Sequence, residues 1–256
     1  MLHLGERCLV MGILNASPDS FAERQGFRDP ASAADFALRM ESEGADLIDI
    51  GGESTWPGAE PVSADQDVPI SIDTYKAEVA RAAVAAGAAL VNDVSGLRVE
   101  PGLAREVAAG GAALVLTHSR GRAKTMNAEA VYDDLMAEVS SELRDSLRRA
   151  VDAGVPTERI IVDPGVGFAK RPSHSYGVLA RLPDLAAALD RPVLVGPSRK
   201  SFLREAVGGR PAAERDWGTA AAVTAAVLAG AHIVRVHAIA EMVQVVRVAE
   251  EIRKYG

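Results

Sequence analysis

Pro69-Ile70-Ser71-Ile72-Asp73 and Ala89-Leu90-Val91-Asn92-Asp93, separated by a stretch of helical spacing from Lys76 to Ala86, decide the fold of this chain. Each is a short apolar run of the kind buried on both faces of a parallel sheet. Each ends in acid or amide side chains. The stretch between them stops at Gly87, a residue suited to the left-handed turn after a helix. Strand, helix and strand in this order make a βαβ unit, which sets the two strands parallel.

The same unit recurs in both directions. Further apolar runs lie at Cys8 to Leu14, Leu47 to Ile50, Ala113 to Thr117, Ile160 to Val162, Val193 to Val195 and Ile233 to Val236, which makes eight. Helical patterns run from Pro30 to Glu43, with Asp29 as N-cap and Gly44 as stop, and over about Ala128 to Ala153, Ser175 to Leu182, Thr219 to Ala229 and Ile239 to Lys254. Eight alternating strands predict an α/β fold, a single (β/α)8 TIM barrel with 1-256 as one domain; an open doubly wound sheet is the alternative. One connection breaks the rhythm. Between Gly51 and Val68 the chain carries Pro57, Pro61 and three glycines, so it cannot supply the crossover helix after strand two. About one helix's worth of residues is expected to be missing, or unlisted, between Ser63 and Val68.

Composition narrows the function classes. With 48% apolar residues the chain can bury a core and is not disordered, and its net charge of −7 argues against non-specific nucleic-acid binding. Cys8 is the one cysteine, which excludes an intrachain disulfide and a Cys-rich zinc cluster. The first residues lack the pattern of a signal peptide and no apolar run is long enough for a membrane span, so a cytoplasmic protein is expected.

In barrels, chemistry sits at the C-terminal ends of the strands. Here those ends carry Asn15, Glu53-Ser54-Thr55, Asp73, Asn92-Asp93, His118, Asp163, Ser198-Arg199-Lys200, and Arg235 with His237. A single Asp or Asn at such a place is more often a turn former than a catalyst. Eight strands doing it together describe a ring. Asp73, Asn92 and Asp163 suit the hydrogen-bonding edge of a flat heterocycle. Lys200, Arg235 and His237 lie at strands seven and eight, the usual phosphate site of barrels. A phosphorylated heterocycle between acids and cations is the predicted ligand. Gly165-Val166-Gly167 does not complete a dinucleotide fingerprint, G-x-S-x-G is absent, and His118 and His237 lack zinc-ligand spacing.

Six ordered motifs span nearly the whole chain: Met11-Gly12-Ile13-Leu14-Asn15-Ala16-Ser17-Pro18-Asp19-Ser20-Phe21, Asp49-Ile50-Gly51-Gly52-Glu53-Ser54-Thr55, Ser71-Ile72-Asp73-Thr74, Val91-Asn92-Asp93-Val94-Ser95-Gly96, Val162-Asp163-Pro164-Gly165-Val166-Gly167-Phe168, and Gly196-Pro197-Ser198-Arg199-Lys200 with Val234-Arg235-Val236-His237. With them the sequence resembles the dihydropteroate synthase family. The resemblance implies that a pterin diphosphate (the 6-hydroxymethyl-7,8-dihydropterin) is joined to p-aminobenzoate, with release of pyrophosphate. It implies that Asp73, Asn92, Asp163 and Lys200 hold the pterin. Asn15, Arg235 and His237 would bind the diphosphate, with Asn15 touching Mg2+. Phe21, Thr55, Pro57, Phe168 and Ser198 would receive p-aminobenzoate or a sulfonamide, and Asp19 would join Lys200, Arg235 and His237 in catalysis. It also implies a homodimer through the later helices.

Two departures stand out. Trp56 occupies the place where the family usually has Arg, and an indole cannot make the bidentate anion contact of a guanidinium. Arg24 or Lys170 are candidate replacements. His118-Ser119-Arg120-Gly121 differs from the commoner His-Met-Arg-Gly. The alternatives are a catalytically impaired pterin-binding homologue and a methyltetrahydrofolate–corrinoid methyltransferase-like pterin binder, which would share Asp73, Asn92 and Asp163 but not need the cations.

Overall fold

A computed structural model describes residues 4–15, 30–51, 68–121, 126 and 128–256. Each apolar run forms a strand: β1 Leu9–Asn15, β2 Leu47–Gly51, β3 Ile70–Asp73, β4 Leu90–Asp93, β5 Ala113–Thr117, β6 Ile160–Asp163, β7 Leu194–Val195 and β8 Ile233–Val236. They pair in the order β6-β5-β4-β3-β2-β1-β8-β7, every neighbour parallel. A parallel bridge between Val162 and Val193 joins the two ends. The sheet is therefore a barrel rather than an open sheet.

Helices α1 Pro30–Ser42, α2 Ala77–Ala85, α3 Leu103–Gly110, α4 Leu135–Asp152, α5 Pro172–Ala180, α6 Leu182–Leu189, α7 Asp216–Leu228 and α8 Ile239–Arg253 surround it. Three differ from the periodicity of the sequence. α3 is only two turns long, too short to stand out as an amphipathic pattern. α4 starts at Leu135 because Asp134 caps it, its side chain accepting the Ala137 N–H at 3.1 Å. The helix expected over Ser175 to Leu182 is two helices that meet at Arg181, with a proline in the first turn of the second. The connection from β2 to β3, where a helix was expected to be missing, lies outside the described residues, as does the Asp29 cap. Among the described residues no helix is long and apolar enough to cross a membrane.

What positions the site is the packing inside the barrel. Leu9, Met11, Leu47, Leu90, Val115, Ile161, Leu194 and Ile233 form one apolar cluster there. Side chains on a strand return to the same face every second residue. Two residues further on from this plug stand Asp49, Asn92, Thr117, Asp163, Gly196 and Arg235. The plug thus turns a polar layer toward the C-terminal mouth. Outside the strands, Leu143, Val178, Leu182, Leu185, Val223, Val227, Met242 and Val246 belong to a second, larger cluster that seats the helices. Leu47 is fully buried in the plug. Leu47→Ala should cost about 2–5 kcal/mol of stability. Denaturant unfolding is expected to show a lower midpoint at unchanged slope.

Candidate active site

The polar layer is built from opposite charges in contact. Arg235 on β8 donates from Nε to Asp49 Oδ2 at 2.6 Å and from Nη2 to Asp73 Oδ2 at 2.8 Å. Asn92 on β4 donates from Nδ2 to the same Asp49 oxygen at 3.0 Å. Asp49, Asp73, Asn92 and Arg235 thereby form one network across four strands. Burial holds the Asp73 carboxyl high, at about 7, against the pull of Arg235 and with a further push from Asp49. In the sequence the acids and the cations read as two facing sets; in the fold they are interleaved.

Lys200 and Asp163 are two further opposite charges, which act on each other without an ion-pair contact. Lys200 donates from Nζ to the Val166 carbonyl at 2.7 Å and lies 4.1 Å from the centre of the Phe168 ring. Burial pulls its ammonium down to about 8, opposed by Asp163 and assisted by Arg235. Burial pushes Asp163 upward, opposed chiefly by Lys200. Asp163 also accepts the Gly165 N–H at 2.7 Å, which fixes the turn after β6. Gly165 has φ of +67°, and a Cβ there would collide with the His118 carbonyl oxygen.

The Ser198-Arg199-Lys200 segment does not act as one cationic cluster. Arg199 takes a left-handed φ of 57°, so its side chain departs from its neighbours' direction. It donates from Nε and Nη2 to the two oxygens of Asp216, each at 2.8 Å, and its backbone N–H meets Thr219 Oγ1 at 3.0 Å. It is a clamp on α7, and it sets Ser198 and Lys200 on either side of it. Ser198 Oγ lies 2.8 Å from His237 Nδ1 and accepts the His237 N–H at 3.2 Å. Burial, then the charges of Arg199, Arg235 and Lys200, press the His237 imidazole down to about 3, so it is neutral at pH 7.

Behind Asp163 lies a group that sequence reasoning underrated. Lys170 is buried, with Nζ 2.7 Å from His118 Nδ1 and 3.3 Å from the Phe168 carbonyl. His118 Nε2 in turn is 3.2 Å from a Glu142 carboxylate oxygen. Burial lowers Lys170 to about 7 and His118 to about 4. Lys170 is thus engaged by His118 and the Phe168 carbonyl inside the fold, while the second loop that holds Trp56 lies outside the described residues.

Asn15 ends β1. A Cβ built on Gly51 would lie 3.5 Å from Asn15 Oδ1 and 3.7 Å from Asp73 Oδ2, so both oxygens border the same space. Such hard oxygen donors suit Mg2+, which keeps water and phosphate oxygens as most of its ligands. Among the described residues no group of three or more His, Cys, Asp or Glu could hold a metal by itself. The donor set fits an ion carried largely by a substrate's phosphates.

The model of the pterin binding enzyme family matches residues 11–237. The dihydropteroate synthase of Synechocystis sp. is 43% identical over 262 residues, covering 96% of this chain and 90% of that protein. The chain belongs to the dihydropteroate synthase family. The alignment is longer than the chain of 256 residues, so this relative carries residues that the chain lacks. The fold of this family member matches that of the Yersinia pestis dihydropteroate synthase solved with a sulfonamide drug, at a TM-score of 0.89 and 38% identity over 97% of this chain and 95% of that one. It also matches the Xanthomonas albilineans dihydropteroate synthase in complex with 7,8-dihydropteroate, at 0.85 and 38% over 97% and 94%.

Of the residues singled out by sequence, the structure gathers Asn15, Asp73, Asn92, Asp163, Phe168, Ser198, Lys200, Arg235 and His237 around the barrel mouth. Asp19, Phe21, Thr55 and Pro57 lie outside the described residues, with Trp56 and Arg24. Asp49 was missed, although a charged residue two places after Leu47 in an apolar strand was its signal. The lowered pKa of Lys200 makes a stability prediction. Below about pH 8 its charge is held in the folded barrel against its burial, whereas above the ordinary lysine value of 10.5 it is neutral folded and unfolded alike. The wild type should therefore gain stability from this group as pH rises from 8 toward 10.5, and Lys200→Met should lack that rise in thermal melts, whatever its stability at neutral pH; an unchanged rise in the variant would contradict this.

Proposed function

We propose that the chain condenses 6-hydroxymethyl-7,8-dihydropterin diphosphate with p-aminobenzoate to give 7,8-dihydropteroate and pyrophosphate. The observation that carries it is the acceptor-rich mouth of Asp73, Asn92 and Asp163 set against Lys200, Arg235 and His237, in a chain related over nearly its whole length to dihydropteroate synthases. Asp73, Asn92, Asp163 and Lys200 hold the pterin. Phe168 and Ser198 border the amine, and the family resemblance assigns Asp19, Phe21, Thr55 and Pro57, outside the described residues, to the same reactant. Arg235 stands between pterin and diphosphate. A neutral His237 whose Nδ1 accepts from Ser198 keeps its proton on Nε2, a donor for a diphosphate oxygen.

The chemistry follows from the charges. The carbon–oxygen bond to the diphosphate breaks and pyrophosphate leaves with the electron pair, while Arg235 and His237 stabilise its charge. The pterin becomes cationic, which the Asp73 and Asp163 carboxyls favour. The neutral aromatic amine then forms the carbon–nitrogen bond and releases its proton to solvent. Mg2+ held by Asn15 would supply further neutralisation of the diphosphate when bound.

Purified protein with the pterin diphosphate, Mg2+ and p-aminobenzoate is expected to yield pyrophosphate and dihydropteroate in equal amounts. Substrate binding without turnover would point instead to an impaired homologue, the outcome that Trp56 makes worth testing. Asp163→Asn should weaken binding of the free pterin about tenfold or more, since it removes a charged acceptor. His237→Ala should leave pterin binding intact and weaken pyrophosphate. Equal losses of both ligands in both variants would refute the division.

The proposal includes a homodimer in the cytoplasm, built from one domain. α7 packs on α8, and the outer side of this pair exposes Trp217, Leu228, Val248, Ile252 and, just beyond, Tyr255. Sedimentation should find a dimer at micromolar concentration, and Val248→Glu with Ile252→Glu should give monomers. A monomeric wild type would overturn this part.

A further inference from the structure

We infer that Asp49 is a positioning residue: by holding Asn92 and Arg235 on one oxygen, it decides which atoms of these side chains face the pterin. The inference rests on the pterin-binding reading above and adds a residue that touches neither reactant.

Asp49 is fully buried, in the layer directly above the apolar plug. Its Oδ2 accepts from Arg235 Nε at 2.6 Å and from Asn92 Nδ2 at 3.0 Å. A carboxylate paired with a guanidinium has only acceptors to offer, so the amide must turn its NH2 toward it. Asn92 Oδ1 is then the end left over. That oxygen is buried and has no partner in the fold. A buried amide oxygen without a partner is costly, and a ring N–H arriving there removes the cost. Asp49 thereby makes Asn92 an acceptor; without it the amide could rotate and present a donor to the same ring edge. Arg235 is fixed in the same way. With Nε on Asp49 and Nη2 on Asp73, its third nitrogen, Nη1, is the one not engaged by the two carboxylates.

Stability alone does not explain an acid here. Asp49 Oδ1 and, beside it in register on β3, Ser71 Oγ are both buried and unpartnered. Apolar residues of similar volume at such a network are commonly neutral or stabilising. Asp73, by contrast, borders the ligand space itself. The role left for Asp49 is orientation of its two partners.

Asp49→Asn keeps the shape and removes the pure acceptor. Its expected effect is a loss of about tenfold or more in affinity for 6-hydroxymethylpterin, with the KM for p-aminobenzoate within about twofold of wild type. In an Asn92→Ala background the same substitution should weaken the pterin by less than about threefold, because contacting residues are not additive. Unchanged pterin affinity in Asp49→Asn, or fully additive losses in the double variant, would overturn the inference. A wild type that does not bind the pterin would instead overturn the underlying functional reading. A measurement on the wild type covers the case in which Asp49→Asn does not fold. The Asn92 side-chain NH2 signals, assigned by their loss in Asn92→Ala, should exchange slowly with solvent in the ligand-free protein. Fast exchange would mean that the amide is not held by Asp49, and would sink the inference without touching the functional reading.

Discussion

Arg235 lies between two carboxylates, Asp49 on one side and Asp73 on the other, at the level where the barrel passes from apolar to polar. A buried guanidinium without partners would be very costly, and so would two neighbouring buried carboxylates without a cation. The three groups are tolerable only together. Their meeting requires β8, β2 and β3 to be brought around the barrel in register. The closure of the sheet and the chemistry of its mouth therefore depend on one another.

The apolar plug makes this register strict. A slip of one residue in any strand would swap its inward and outward sets. Leu47 would then leave the plug and Asp49 would leave the network. The same logic holds for Leu90 with Asn92, Ile161 with Asp163, and Ile233 with Arg235. Loops add the last adjustment. Gly165 passes against the His118 carbonyl, and Arg199 takes a left-handed turn under the hold of Asp216, so Asp163, Ser198 and Lys200 are presented by backbone that leaves little freedom.

Such a mouth gives up stability for function. The fold holds Asp73 above the usual carboxylate range and Lys200 and Lys170 below the usual ammonium range, in each case chiefly through burial. A ligand with both a hydrogen-bonding ring and an anionic arm meets these needs from both sides. Shifts of this kind gather where chemistry is done.

The sequence alone determined the eight strands and most of the helices, because burial on both faces leaves continuous apolar runs and helix packing leaves a period near 3.6. It also determined which residues stand at the strand ends, since the change from apolar to polar is written at Asp73, Asn92, Asp163 and Arg235. The short α3 and the division at Arg181 were not legible, because two turns carry too little periodicity and one proline is equally at home in the first turn of a new helix. Only the tertiary structure decided what each charge is paired with. Arg235 reads in sequence as a cation for a phosphate and proves to be anchored to Asp49 and Asp73; Arg199, beside Lys200 after strand seven, belongs to Asp216. Charge pairing is a matter of a few ångströms between residues up to 186 positions apart, and no local pattern encodes that distance.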